Sequence, residues 1–330
     1  MIIGIDGSNI RVGGGVTHLQ NLLRFAKPER YGVRKVIVWS GKSLLEKLPQ
    51  ETWLDLREVP TLNHSLMHRL YWQNISLTSV ARKNCDLLFV PGGLYLGVFR
   101  PYATMCQNYL PFVDEEIARY GLSGRTLRLK LLARGQKHTF VNSEGIIFLT
   151  QHVRDALLTK YSYLEHVRQS VIPHGIDPIF LHQNTGNQKH GNTVRLLYVS
   201  TIDLYKHQWN VVSSVYNLRK EGFEIQLTLV GSAYPPALDK LEVAIKKVDP
   251  KMEFVKYDGS IDYDVLPSYY HNADLFIFAS SCETLGIILL EAMASHLPIA
   301  CSNRSPMPEI LGDAGIYFDP ENISSITKSL

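Results

Sequence analysis

The sequence predicts an α/β protein built from two doubly wound parallel-sheet domains facing a cleft. Three observations carry that expectation. Short apolar runs alternate with longer stretches of helical period along the chain, the pattern of repeated βαβ units. The 330 residues are about twice the usual domain length of roughly 150. The interval 173–192 holds two Pro, three Gly and many Asn and Gln, a linker composition between two such sets of runs. The expected division is 1–172, a hinge over 173–193, and 194–330.

Each element follows from its own stretch. In the first half the apolar runs at 2–6, 35–39, 87–90, 103–107 and 145–149 predict strands, and the spacing predicts a helix over 16–26. In the second half strands are expected at 195–200, 226–230, 252–256, 275–279 and 298–301. Helices are expected at 208–221, 236–248, 265–272 and 286–295. Ligands of such sheets bind at the carboxyl ends of the strands, which places the site in a cleft between the domains.

Composition narrows the function classes. Hydrophobic residues make up 45% and charged residues 20%, which excludes a disordered chain, a coiled coil and a collagen-like repeat. The longest apolar stretch, 285–301, carries Glu291 and His296 inside it and is not a spanning segment of roughly 18 residues. The start, 1–6, lacks a basic region and a small-residue cleavage site, so it reads as a buried strand and not a signal peptide. Cys85, Cys106, Cys282 and Cys301 have no CxxC spacing and no clustered His, which points to a reduced, cytoplasmic protein without a zinc site. No H-x-E or HExxH spacing occurs, so no metal and no cofactor are expected. Charge is uneven: residues 1–172 hold 22 Lys+Arg against 13 Asp+Glu, and residues 173–330 hold 12 against 18. A basic first half suits an anionic partner, but the acidic second half and the lack of any recognition motif argue against nucleic acid.

The most informative segment is 279–294. A strand ends, a small polar loop follows, and a helix is expected to begin near Thr284, Leu285 and Gly286. Glu283 in the loop and Glu291 about two turns into the helix are then roughly 12 Å apart along the axis. The amides of Thr284, Leu285, Gly286 and Ile287 between them suit phosphate. Such a span fits a ligand with a central diphosphate and hydroxyl-rich rings at either end. The bland alternative is a buried helix with one N-terminal acid, which accounts for Glu283 but leaves Glu291 in an apolar stretch needing a partner or a ligand. Gly13-Gly14-Gly15 follows a strand and precedes a helix, as a phosphate loop does, yet it fails as a dinucleotide fingerprint because His18 stands where the third glycine belongs. A flexible turn is the other reading. The stretch 119–137 contains six basic residues and no acid, with Leu127, Leu131 and Leu132 near helical spacing and Leu129 off that stripe. It is either a peripheral membrane contact or a solvated helix with its leucines in the core.

Glu283 and Glu291, followed by Ala292-Met293-Ala294, resemble the signature of the retaining glycosyltransferases of family GT4, which have the GT-B fold. Other segments occur in the family's order: 173–177 (Pro-His-Gly-Ile-Asp), Tyr198 through Lys206 and His207, Val230-Gly231, Asp258-Gly259, 308–310 and 312–315. The resemblance implies a hexosyltransferase, metal-independent, using a nucleotide-diphosphate sugar as donor and a saccharide or lipid-linked acceptor, in cell-surface polysaccharide or glycolipid biosynthesis. It implies that Glu283 contacts the donor sugar, Glu291 holds the ribose, and Lys206 neutralises the diphosphate. It further implies that Thr284, Leu285 and Gly286 supply amides, that Gly14 and Gly15 approach the diphosphate, and that Tyr257 and Gly259 border the base. Two departures stand out. Ser200-Thr201 replaces Gly-Arg before the lysine, leaving Thr201 near the phosphates without an arginine, and Gln107 and Asn108 stand where a histidine is common, able to bond the sugar but not to do acid–base work. The family's final helix, crossing back to the first domain, is also not expected here. Two rival readings are a non-catalytic nucleotide-sugar-binding subunit and a nicotinamide oxidoreductase.

Overall fold

The computed structural model describes residues 1–11, 13–181 and 192–330; residues 182–191 of the expected hinge lie outside the described residues. The chain divides into two compact units. One comprises residues 1–117 and 121–175, the other residues 118–120 and 176–330.

The N-terminal unit is a seven-stranded parallel sheet: β1 (Ile2–Asp6), β2 (Lys35–Ser40), β3 (Leu54–Glu58), β4 (Leu87–Val90), β5 (Tyr102–Met105), β6 (Gly145–Phe148) and β7 (Arg168–Val171). Their spatial order is β3-β2-β1-β4-β5-β6-β7, so the winding reverses between β1 and β4. Val36 to Ser40 are all buried, because helices cover a parallel sheet on both faces. The C-terminal unit is a six-stranded parallel sheet: β8 (Val194–Val199), β9 (Ile225–Val230), β10 (Val255–Tyr257), β11 (Leu275–Phe278), β12 (Ile299–Ser302) and β13 (Ile316–Phe318). Its order is β10-β9-β8-β11-β12-β13, reversing between β8 and β11. Tyr198, Leu229, Phe276, Phe278 and Leu289 lie in its core.

Every strand expected from the apolar runs is present within a few residues. The sheets also contain β3, β7 and β13, which the runs did not mark. All three are edge strands. One flank faces solvent, so Leu-Asp-Leu-Arg-Glu and Arg-Gln-Ser-Val need no continuous apolar run. The strand expected at 252–256 begins only at Val255. The buried Asp249 carboxylate accepts from the Glu253, Phe254 and Val255 amides at 2.8, 2.9 and 2.8 Å and holds the chain in a turn until then.

Two further expectations are corrected. The helix in the signature segment runs Ile287–Ala294, capped by Gly286 at φ 76°. Thr284 and Leu285 are therefore loop residues, and Glu291 lies little more than one turn inside the helix. Gly14 and Gly15, expected in a loop, form the first turn of the Gly14–Phe25 helix after Gly13 at φ 70°. In the Gly124–Val141 helix the inward stripe is Leu129, Ala133, Gln136 and Phe140, whereas Leu127 and Leu131 are each 61% exposed. Two of the three leucines read as a stripe, Leu127 and Leu131, thus point outward, and Leu132 is half-buried. No helix among the described residues is long and apolar enough to cross a membrane.

Candidate functional site

The expected donor-side residues collect at the carboxyl ends of β8, β9, β10 and β11. After β8 the chain passes Ser200 and Thr201; after β9 it passes Gly231. The Gly231 N–H donates to the Gly259 carbonyl at 2.8 Å, and the Tyr257 hydroxyl donates to the Gly231 carbonyl at 2.8 Å. Thr201 Oγ1 lies 3.2 Å from Ser232 Oγ. Thr201, Tyr257 and Gly259 therefore meet around Gly231. At this position only glycine fits: φ is 140°, and a Cβ would lie 2.1 Å from the Ser200 carbonyl oxygen.

The second part of the site joins two loops distant in sequence. Asp203 caps the turn Leu204–Lys206, accepting from the Leu204 amide at 2.8 Å and from the Tyr120 hydroxyl at 2.7 Å. This turn is tied to the loop after β11, because the Ser281 N–H donates to the Tyr205 carbonyl at 2.8 Å and His207 Nε2 lies 3.0 Å from Ser281 Oγ. The loops meet because β8 and β11 are neighbours in the sheet. Between them Lys206 Nζ donates to Glu283 Oε1 in a buried ion pair, with side-chain exposures of 7% and 15%. The ammonium also sits 5.0 Å from the ring centroids of Tyr205 and Phe278. Burial, reinforced by the Glu283 charge, pushes the Tyr198 and Tyr205 phenols well above their usual range, so both stay neutral beside the pair.

Glu291 lies apart from that pair. It is 3% exposed and accepts from the Tyr270 hydroxyl at 2.7 Å. Burial raises its carboxyl to about 7, against a smaller opposing effect of the Tyr270 bond. The partner this carboxylate needed is thus a side chain on the Leu266–His271 helix. Tyr270 was missed because the sequence around it reads only as helix. The Lys206 cage was missed too, since neither Tyr205 nor Phe278 differs in pattern from a core aromatic.

Gly14, Gly15, Gln107 and Asn108 belong to the N-terminal unit. A Cβ on Gly15 would lie 3.3 Å from Gln107 Oε1, so the glycine turn and the loop after β5 are adjacent. Gln107 Nε2 donates to Met105 Sδ at 3.4 Å. His174, in the expected hinge motif, stacks on His18 with ring centroids 3.8 Å apart.

Two parallel, doubly wound α/β domains of this topology define the GT-B class, and solved structures share this fold. Sucrose-phosphate synthase from Thermosynechococcus elongatus matches with a TM-score of 0.75 at 15% identity, covering 100% of this chain and 88% of that one. HepE of Anabaena, solved in complex with UDP-glucose, matches with a TM-score of 0.70 at 17% identity, covering 99% and 88%. Residues 183–330 match the family model described as glycosyl transferases group 1. Among curated relatives, alpha-monoglucosyldiacylglycerol synthase of Streptococcus pneumoniae is 25% identical over 251 residues, 72% of this chain and 54% of that protein. The chain spans about half or less of the length of the first curated relatives it matches.

Proposed function

We propose that the protein is a retaining glycosyltransferase that moves a hexose from a nucleotide-diphosphate sugar to an acceptor hydroxyl, in cell-surface polysaccharide or glycolipid biosynthesis. The observation that carries this reading is the buried Lys206–Glu283 pair at the carboxyl edge of the C-terminal sheet. In the ligand-free protein each charge neutralises the other. A bound diphosphate competes for the ammonium, which releases Glu283 to accept hydrogen bonds from sugar hydroxyls.

The anomeric carbon–oxygen bond to the diphosphate breaks, and the negative charge that develops on the leaving oxygen is stabilised by Lys206. The amides of Thr284, Leu285 and Gly286, joined by the first amides of the Ile287–Ala294 helix at Ile287 and Ile288, add hydrogen bonds to the sugar and phosphates. The acceptor oxygen bonds the anomeric carbon from the same face, and its proton passes to the departing diphosphate. Glu291 holds the ribose by accepting from its hydroxyls, sharing its oxygens with Tyr270. With no arginine beside Thr201, Lys206 is the cation of this cluster among the described residues.

The test is a panel of UDP-, GDP- and ADP-sugars, with release of nucleoside diphosphate followed in the wild type and in Lys206→Ala. Turnover of one donor, falling by about 100-fold or more in the variant, is expected from the loss of a buried charge at a leaving group. Unaltered turnover would sink the leaving-group role. Binding of a donor with neither transfer nor slow hydrolysis would instead identify a non-catalytic binding subunit.

A further inference from the structure

We propose that Arg11, Arg69 and Arg128 form a phosphate subsite in the N-terminal unit, and that the acceptor glycosylated by this protein carries a phosphate group. Naming the ligand an acceptor rests on the transferase reading; the subsite itself does not.

Topology brings the three residues to one edge. Arg11 follows β1, Arg69 lies on the Leu66–Tyr71 helix after β3, and Arg128 lies in the first half of the Gly124–Val141 helix after β5. Each leaves the sheet at its carboxyl edge, and the winding reverses at β1, where such sheets take ligands. Some arginines elsewhere are neutralised locally: Arg57 pairs with Asp55 and Arg195 with Asp274, each at 2.9 Å. Among the described residues no carboxylate pairs with Arg11, Arg69 or Arg128. Arg69 Nε is moreover buried without a hydrogen-bond partner, a costly state for a charged donor. Burial, and then the like charges of Arg11 and Arg128, pull the Arg69 guanidinium below its usual pKa.

Three guanidinium groups at one sheet edge, with no ion-pair partner among the described residues, suit a dianion, which they bind through paired N–H donors. Ser8 adds a hydroxyl to this region. It is 3% exposed, its N–H donates to the buried Asp6 carboxylate at 3.1 Å, and it lines a small polar cavity with Arg11. Met67, two residues before Arg69, and Leu127 and Leu131, either side of Arg128, are exposed. A phosphate on a soluble sugar or polyol and a phosphate on a lipid headgroup share the chemistry that the arginines read.

The test uses the full chain and three probes: glycerol 1-phosphate, phosphatidylcholine vesicles doped with phosphatidate, and undoped vesicles, against chloride at equal ionic strength. Melting temperature and vesicle co-sedimentation are read for the wild type, Arg69→Gln, Arg69→Lys and Arg69→Gln/Arg128→Gln. A phosphate probe is expected to stabilise or retain the wild type, with affinity roughly tenfold or more weaker in Arg69→Gln and largely kept in Arg69→Lys. Without ligand, Arg69→Gln is expected to melt at or above the wild-type temperature, since it relieves repulsion. Response to glycerol 1-phosphate assigns a soluble phosphate; response to doped vesicles alone assigns a lipid. Equal phosphate affinity in wild type and Arg69→Gln, or no wild-type response to either phosphate probe, would overturn the subsite. A ligand-free loss of stability in Arg69→Gln would do the same, by making the arginines structural. Nucleoside diphosphate binding is expected to be equal in all variants, so its failure would count against the donor reading alone.

Discussion

Glu291→Gln separates the structural load carried by the buried carboxyl from its proposed role. The replacement keeps the shape and an acceptor for the Tyr270 hydroxyl, now 2.7 Å from Glu291 Oε2, and removes the ionisation. In the folded protein burial holds the Glu291 carboxyl near 7, against 4.5 for an ordinary glutamate. Below 4.5 both folded and unfolded chains are protonated there, and the variant and wild type pay no differential ionisation cost. Between 4.5 and 7 the unfolded chain releases a proton that the folded one retains, so wild-type stability falls as pH rises. At about 1.4 kcal/mol per pH unit the loss is complete just above 7 and reaches ~3 kcal/mol. Urea unfolding of both proteins from pH 4.5 to 8 measures it. The variant is expected to gain on the wild type across that window and to run parallel to it above. A difference independent of pH would mean that Glu291 ionises freely in the folded state, and the argument from burial would fail. Ribose hydroxyls that donate to Glu291 favour its charged form. Affinity for the nucleoside diphosphate that binds is therefore expected to rise through pH 7 in the wild type, and to do so neither in Glu291→Gln nor with a dideoxyribose analogue.

The His18–His174 stack acts in the opposite sense. Burial lowers the two imidazoles to about 4 and about 3, from 6.5. Their contribution is intact above 6.5 and is lost as pH falls, by about 1.4 kcal/mol per pH unit for each ring until its folded value is reached. A His18→Gln/His174→Gln protein is expected to show a shallower acid limb in urea titrations, and an unchanged slope would refute the assignment. Lys206→Met strands the Glu283 carboxylate and is expected to cost about 3–5 kcal/mol, while Lys206→Met/Glu283→Gln recovers much of that. Additive effects in the double-mutant cycle would show that the two do not form a pair. Gly231→Ala, with φ 140° and a Cβ 2.1 Å from the Ser200 carbonyl oxygen, is expected to cost roughly 3 kcal/mol and to weaken nucleotide binding. A change below about 0.5 kcal/mol, the range of an ordinary surface substitution, would show that the loop relaxes freely.

Sequence alone was enough for the interior of both sheets. Runs such as Leu-Phe-Ile-Phe at β11 and Val-Ile-Val-Trp within β2 have one low-energy place to go, between two layers of helices, and their order along the chain then implies parallel winding. Glu291 could also be read, since a carboxylate in an apolar helix must find a partner. That the partner is Tyr270, 21 residues upstream, could not be read, because helix packing decides which side chain reaches it. The edge strands β3, β7 and β13 were illegible for the converse reason: with one flank open, burial imposes little pattern on them. The pair that centres the candidate site is 77 residues apart in sequence. Lys206 meets Glu283 only because β8 and β11 lie side by side at the point where the winding reverses, and the loops of neighbouring strands share one edge. Arg11, Arg69 and Arg128 likewise look like three ordinary surface cations until the carboxyl edge of the first sheet gathers them. Local sequence determines which segments must be buried; the tertiary structure determines which charges are left facing one another, because hydrophobic burial is non-directional and electrostatics depends on where each charge ends up.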